Sequence, residues 1–480
     1  MPLPRFLGLG SLIRGRFLLA TEDSDTFIDV PRRTDVSIIG YLSKKSPRTS
    51  SYSFMKINAL FLLILLPLAL RAQIPEPVLP AGAGVNIHFI TGHESDLDGI
   101  AAAGFRFVRM DFFWERTETK RGEYVWSGYE ELLANLDKRG LRALFILDYS
   151  NPLHEEAIVS PHPITGRPVK GLASPRQPKS IAAFVRWAAA AAQHFYGRRV
   201  IWEIWNEPNG NFWRPRPDVR QYTALALAAG KAIRGADPAA TLIGPAISGF
   251  DPAFMEAFLR SGVLEYLDGV SVHPYRSAPP ETAAGEYRML REQIERYAPP
   301  AKKNKIPILS GEWGYSSDGK DVSQERQAAY LVRQQLFNLL SGVPLSIWYD
   351  WKNDGPDPQE REQNFGTVTP ELALKPAYLA VQTLTRELAG FRIVVRHNTG
   401  HEEDFVLVLS DATGQTKLAA WTMIEPRSVT LEVESGLRTS VAVTGMLGER
   451  REANTRSQSL TLELGPEPQY VGLGRTSLKK

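Results

Sequence analysis

Eight short runs rich in β-branched and aromatic residues recur between residues 84 and 390, separated by longer amphipathic stretches. The runs are GVNIHF (84–89), FRFVRMD (105–111), RALFILD (142–148), VIWEIW (200–205), TLIG (241–244), GVSVHPY (269–275), IPILSGE (306–312) and LSIWYDW (345–351). Helical spacing of apolar residues marks 127–139, 179–196, 219–236, 251–261, 283–297, 323–341 and 376–388. The stretch SIAAFVRWAAAAAQHFYG is Ala-rich and closes on Gly197 at the C-cap position. Strands alternating with helices predict a parallel sheet, because parallel neighbours are joined only by a crossover. Eight such units in roughly 300 residues predict an α/β chain folded as a (β/α)8 TIM barrel.

After residue 390 the apolar period falls to two. DFVLVLSD, KLAAWTM, SVTLEVE, TSVAVTGM and SLTLEL alternate between turn residues. They predict a small all-β, sandwich-like domain over 391–475, packed on a barrel spanning 84–390. Two connections are long, one after the third strand and one after the eighth. Both fall where βα loops build the functional face of a barrel, and are expected to wall a cleft.

The N-terminal region reads differently. MKINALFLLILLPLALRAQ begins at Met55, with one lysine, an apolar core and a small residue at 72. An apolar core of about 12 residues suits a signal peptide (55–72) better than a membrane span. Residues 1–54 have no sustained period. They are either a mis-called or disordered start, or a basic tail before an uncleaved anchor, the one case in which membrane contact is expected. The cleaved form would be exported, periplasmic or extracellular. The 56 Lys and Arg against 53 Asp and Glu give +3, but ten and five of these lie in residues 1–72. The remainder holds 46 against 48, a charge of −2, so no nucleic-acid footprint survives. With no cysteine, a disulfide framework, a thiolate metal site and a cysteine nucleophile are excluded.

The carboxyl ends of the strands carry His88, Arg109, Asp111, Asp148, Asn206, Glu207, His273, Tyr275, Glu312, Trp348 and Trp351. In a barrel these ends face the site. Glu207 closes the fourth strand and Glu312 the seventh, across the mouth from each other. Two carboxylates on opposite cleft walls are what glycosidic bond cleavage needs: one donates a proton to the leaving oxygen, the other attacks the anomeric carbon. Pro208 is expected to stop the fourth strand and hold Glu207 extended.

WEIWNEPN and ILSGEWGYSS resemble the acid/base and nucleophile strands of the clan A retaining glycoside hydrolases. VNIHF, FVRMDFFWERTE, DGVSVHPY and YDWKNDGPDP make the resemblance closest to family 39-like and family 5 cellulase-like enzymes, over about residues 84–390. The resemblance implies Glu207 as general acid/base and Glu312 as nucleophile. It implies Asn206 on the sugar 2-hydroxyl, Arg109 holding Glu312 ionised, and His273 or Tyr275 beside it. Trp348, Trp351, Trp114 and Trp313 are the expected sugar platforms, since flat sugar faces stack on aromatic rings.

The expected activity is hydrolysis of β-linked poly- or oligosaccharides by double displacement, endo-acting, with no metal and no cofactor. An exo-acting β-xylosidase type, a transglycosylase, a catalytically silent carbohydrate-binding barrel and a structural envelope protein are the alternatives. Loss of either carboxylate would mark a silent barrel, and both are present.

Overall fold

The computed structural model describes residues 74–161, 168–320, 322–434, 439–456 and 458–479. The expected signal peptide and the extension before it lie outside them. No helix among the described residues is long and apolar enough to cross a membrane.

Eight parallel strands close a barrel: β1 (Ala83–Asn86), β2 (Phe107–Phe113), β3 (Arg142–Asp148), β4 (Ile201–Ile204), β5 (Thr241–Ser248), β6 (Gly269–His273), β7 (Ile308–Trp313) and β8 (Ser346–Trp348). They pair in chain order, and β8 returns to β1. A helix follows each: α1 (Glu94–Ala102), α2 (Ser127–Asp137), α3 (Pro178–His194), α4 (Val219–Ala236), α5 (Pro252–Arg260), α6 (Ala284–Tyr297), α7 (Gln324–Leu340) and α8 (Pro376–Glu387). The first of these has no counterpart among the predicted helices; it is short and its stretch is half polar.

Residue parity fixes what each strand presents. Leu144, Ile146, Ile201, Ile243, Leu309 and Ile347 fill the barrel interior. Their strand neighbours Phe145, Trp202, Leu242, Ile308 and Trp348 point outward into the helix layer. The helices meet them with apolar stripes, as with Phe184, Trp187, Ala188 and Ala191 on α3. Side-chain oxygens cap several starts: Asp218 accepts from the Arg220 and Gln221 amides, Asp251 from Phe254 and Ser323 from Arg326. Each such cap contributes about 1 kcal/mol.

The long β3 connection contains an antiparallel hairpin, Ala157–Pro161 with Pro168–Leu172. The chain beyond the barrel forms β9 (Arg392–His397), β10 (Asp404–Ser410), β11 (Thr416–Thr422), β12 (Arg427–Glu432), β13 (Ser440–Thr444), β14 (Arg450–Arg456), β15 (Ser459–Leu464) and β16 (Gln469–Gly474). They make one curled antiparallel sheet, ordered β9-β10-β11-β16-β13-β14-β15-β12. One face encloses its own core of Val406, Val408, Leu418 and Ala420. The other gives Phe405, Leu407, Ala419 and Trp421 to the core of the barrel's helix layer.

A buried ion pair ties this junction. Arg333 of α7 donates through Nε and Nη2 to the two carboxylate oxygens of Glu281, both at 2.7 Å. The Trp421 indole of β11 donates to the same Glu281 at 2.8 Å.

Candidate active site

The β4 strand is IWEI, and its inward parity puts Glu203 in the middle of the barrel, fully buried. A carboxylate there requires a charged partner. That partner is Arg109, on the inward face of β2 and 1% exposed, which donates from Nε to Glu203 at 2.8 Å. The rest of the guanidinium fans out toward the mouth. Nη1 donates to Glu312 Oε2 at 2.6 Å and Asn86 Oδ1 at 3.2 Å, and Nη2 to Asn206 Oδ1 at 2.8 Å. One arginine thus joins the ends of β1, β4 and β7.

The second hub is His273 at the end of β6, fully buried. Its Nε2 faces Arg109 Nη2 at 3.4 Å. Arginine only donates, so Nε2 accepts and the ring proton sits on Nδ1. From there it reaches Glu207 Oε1 at 2.9 Å, with Glu312 Oε2 4.0 Å away. Tyr275 donates its hydroxyl to Glu312 Oε1 at 2.8 Å. Oxygens of Glu207 and Glu312 and a ring nitrogen of His273 all lie within 4.8 Å of one another.

Burial works to raise the Glu312 carboxyl. The positive edge of His273, the Arg109 charge and the hydrogen bonds from Tyr275 and Arg109 outweigh it, and Glu312 is held below the usual range. The result is an ionised carboxylate 14% exposed at the mouth. Tyr275 is pushed well up by burial and by the neighbouring Glu312, so its hydroxyl keeps its proton and donates.

The loop after β4 is strained and stapled. Trp205 and Glu207 in this loop, and Ala246 in the β5 bulge facing it, have φ of 67°, 45° and 53°, all left-handed. Such residues each cost roughly 1–3 kcal/mol and persist only where their surroundings hold them. Here the Glu207 amide donates to Ala246 O at 2.9 Å, and Asn209 exchanges two 2.9 Å hydrogen bonds with the Ser248 backbone. The extended Glu207 expected ahead of Pro208 is therefore not found. The bond to the β5 bulge turns the residue inward instead.

The four expected tryptophan platforms are also corrected. Trp114, Trp313 and Trp348 are fully buried and Trp351 is 2% exposed. The extra residue that β7 carries against β8 resets its alternation, so Glu312 faces the mouth and Trp313 the helix layer. Trp348 follows the inward Ile347 and also points outward, while Trp351 packs beside Gly99 of α1 and donates to Asp96 at 2.9 Å. Half-buried or exposed rings at or just beyond the strand ends include Phe113, Tyr149, Phe212, Tyr275 and Tyr349.

Two acidic groupings flank the centre. Asp148, fully buried at the end of β3, lies beside Asp111 of β2; burial and that neighbouring carboxylate push its carboxyl well up, so it holds a proton. His88, Asp350 and Asp354 bring ligand atoms within 4.8 Å around a cavity of about 140 Å³ that Asn86 also lines. Burial pushes the Asp350 carboxyl up to about 6, with His88 opposing. This trio and Glu207–His273–Glu312 are the described residues whose geometry could hold a cation. Glu203 was missed by sequence reasoning, although one charge inside a four-residue apolar strand is the signal that could have found it.

A carboxylate at the end of β4 and another at the end of β7, joined through arginine, histidine and tyrosine in a closed parallel barrel, places the protein among the (β/α)8 glycoside hydrolases. The chain belongs to the cellulase family, glycosyl hydrolase family 5, whose family model matches residues 76–354. Part of it is 31% identical, over 136 residues, to a β-xylosidase of Geobacillus stearothermophilus; the match spans 26% of each chain. Among solved structures it resembles a family 39 glycoside hydrolase from Bacteroides cellulosilyticus WH2, with 24% identity, a TM-score of 0.69 and coverage of 84% and 82%. A family 39 β-xylosidase from Caulobacter crescentus follows at 20% identity and TM-score 0.60, covering 84% of this chain and 98% of that one. These likenesses in structure concern the fold.

Proposed function

We propose that the protein is a retaining glycoside hydrolase acting on β-linked oligo- or polysaccharides, with Glu312 as nucleophile and Glu207 as acid/base. The observation that carries this reading is the approach of the two carboxylates within 4.8 Å. Retaining enzymes hold their carboxyl groups about 5–5.5 Å apart, whereas inverting ones leave room for a water at about 6.5–9.5 Å.

In the first step the ionised Glu312 oxygen attacks the anomeric carbon. The bond to the leaving oxygen breaks, and that oxygen takes its electron pair and the proton of Glu207. In the second step Glu207 takes a proton from water, the water oxygen attacks the same carbon, and Glu312 is released as carboxylate. Asn206 presents an amide whose carbonyl is held by Arg109 and one of whose protons goes to Tyr149; the other is free for the sugar 2-hydroxyl. Xylosides are the first substrates to test, because the similar proteins include β-xylosidases. Endo action is the reading for a cleft walled by the β3 hairpin and the long β8 loop. Export through the segment beginning at Met55 belongs to the same proposal, and N-terminal sequencing of secreted protein tests it.

The deciding experiment is reducing-end release from xylan, glucan, mannan and galactan by wild type and Glu312→Ala. Release by wild type alone is expected, with the variant's circular dichroism unchanged. Glu207→Ala should retain the first step on dinitrophenyl glycosides, whose leaving group needs no proton. Equal loss on dinitrophenyl and unactivated glycosides would remove Glu207 from that role. A product profile of monosaccharide from the earliest times would replace endo action with exo.

A further inference from the structure

Phe212 is 45% exposed, a large apolar ring open to solvent on the loop that carries Glu207. Single exposed apolar residues are common and by themselves mean little. This one is built in. Its ring stacks on Tyr149 with centroids 5.6 Å apart and planes 13° off parallel. Tyr149 stands edge-on to the buried Trp205 at 5.6 Å, and its hydroxyl accepts from Asn206 at 3.0 Å. The same Asn206 is bonded to Arg109. An unbroken line of contacts therefore runs from the reacting centre to the exposed ring.

The backbone beneath the ring is fixed as firmly. The Trp205 indole donates to the Phe212 carbonyl at 3.2 Å, and Trp213, next in sequence, is fully buried. The Gly210 amide donates to the Glu207 carbonyl at 2.9 Å and the Trp213 amide to Gly210 at 3.2 Å, folding the loop back on the acid/base residue. A flat ring held rigid costs little ordering entropy when something stacks on it.

We propose that Phe212, backed by Tyr149, is the platform for the leaving sugar, the residue that departs with the oxygen Glu207 protonates. The assignment rests on Glu207 being the acid/base residue, since that fixes which side of the cleft the leaving group occupies. The ligand class is a sugar presenting an apolar C–H face, as the unit next to the cleaved bond of an oligo- or polysaccharide does. A small alcohol would gain nothing from the ring.

The test compares xylobiose, whose second unit would lie on the platform, with β-xylosyl fluoride, whose leaving group is a lone ion. Wild type, Phe212→Ala, Phe212→Leu and Phe212→Tyr are assayed on both. The expected result is a fall of about tenfold in the ratio of kcat/KM for xylobiose over the fluoride in the Ala variant. Leu, which fills space without a flat face, should behave alike, and Tyr should restore the ratio. A ratio that does not move in Ala or Leu overturns the platform while leaving the glycosidase reading intact. Turnover of neither substrate by wild type, with other sugars' fluorides equally inert, overturns the glycosidase reading and the platform with it.

Discussion

Glu312 keeps its charge through contacts that can be removed one at a time. Tyr275→Phe deletes the 2.8 Å donor and leaves the ring in place. A hydrogen bond to a charged group contributes about 1.5–3 kcal/mol, so kcat/KM should fall roughly tenfold to a hundredfold. The direction in pH follows from the sign. Glu312 is depressed in the folded protein, so the acidic limb of the wild-type profile lies below the usual carboxylate range, and losing the donor moves it to higher pH. A limb that stays put in the variant would detach that ionisation from Glu312. Asp148 has the opposite sign. Its carboxyl is raised by burial and by Asp111, so in the wild type it costs stability progressively as pH rises above the unfolded value of about 4. Asp148→Asn keeps the shape without that cost. Thermal unfolding should match wild type near pH 4 and exceed it increasingly toward neutrality; a variant less stable at every pH would show that the carboxylate is needed as a charge.

At the level of strands and loops, close approach decides what can be changed. Gly314, just after β7, would place a Cβ 1.8 Å from the Tyr349 carbonyl oxygen, a backbone atom that cannot move alone. Gly314→Ala should therefore separate the ends of β7 and β8 and destabilise by more than about 3 kcal/mol, as read from denaturant midpoints. Much of this layer was legible in the sequence. Each of the eight apolar runs corresponds to a barrel strand, with RALFILD coinciding with β3 at both ends. Glu207, Glu312, Arg109, His273 and Tyr275 do converge, because strand ends in a closed barrel must. What periodicity could not supply was parity and loop geometry. A tryptophan beside a site residue in sequence lies on the opposite face of the strand, which is why Trp313 and Trp348 are core rather than cleft. Phe212 sits in an irregular loop where no period applies. In the C-terminal sheet, RIVVRH and RREANTR are too charged, and QYVGLG too glycine-rich, to declare β9, β14 and β16 by alternation.

For the molecule as a whole, the barrel and the curled sheet behave as one body because they share apolar core and a buried charge. Arg333 is 2% and Glu281 4% exposed. Removing one partner leaves the other charged and dry, at a cost of about 3–5 kcal/mol. Arg333→Met should therefore lower the unfolding midpoint of barrel and sheet together, and two separate transitions in calorimetry would contradict the shared core. The lead-in is fastened to the same seam: the Leu79 amide donates to Phe391 O at 3.0 Å and the Gly390 amide to Leu79 O at 2.8 Å. Recombination between relatives is bound by the same seam. A chimera taking its barrel from one parent and its sheet from another keeps Glu281 and Arg333 together, but the incoming sheet has to supply the Trp421 indole, or the buried Glu281 carboxylate loses a hydrogen-bond donor at the crossover.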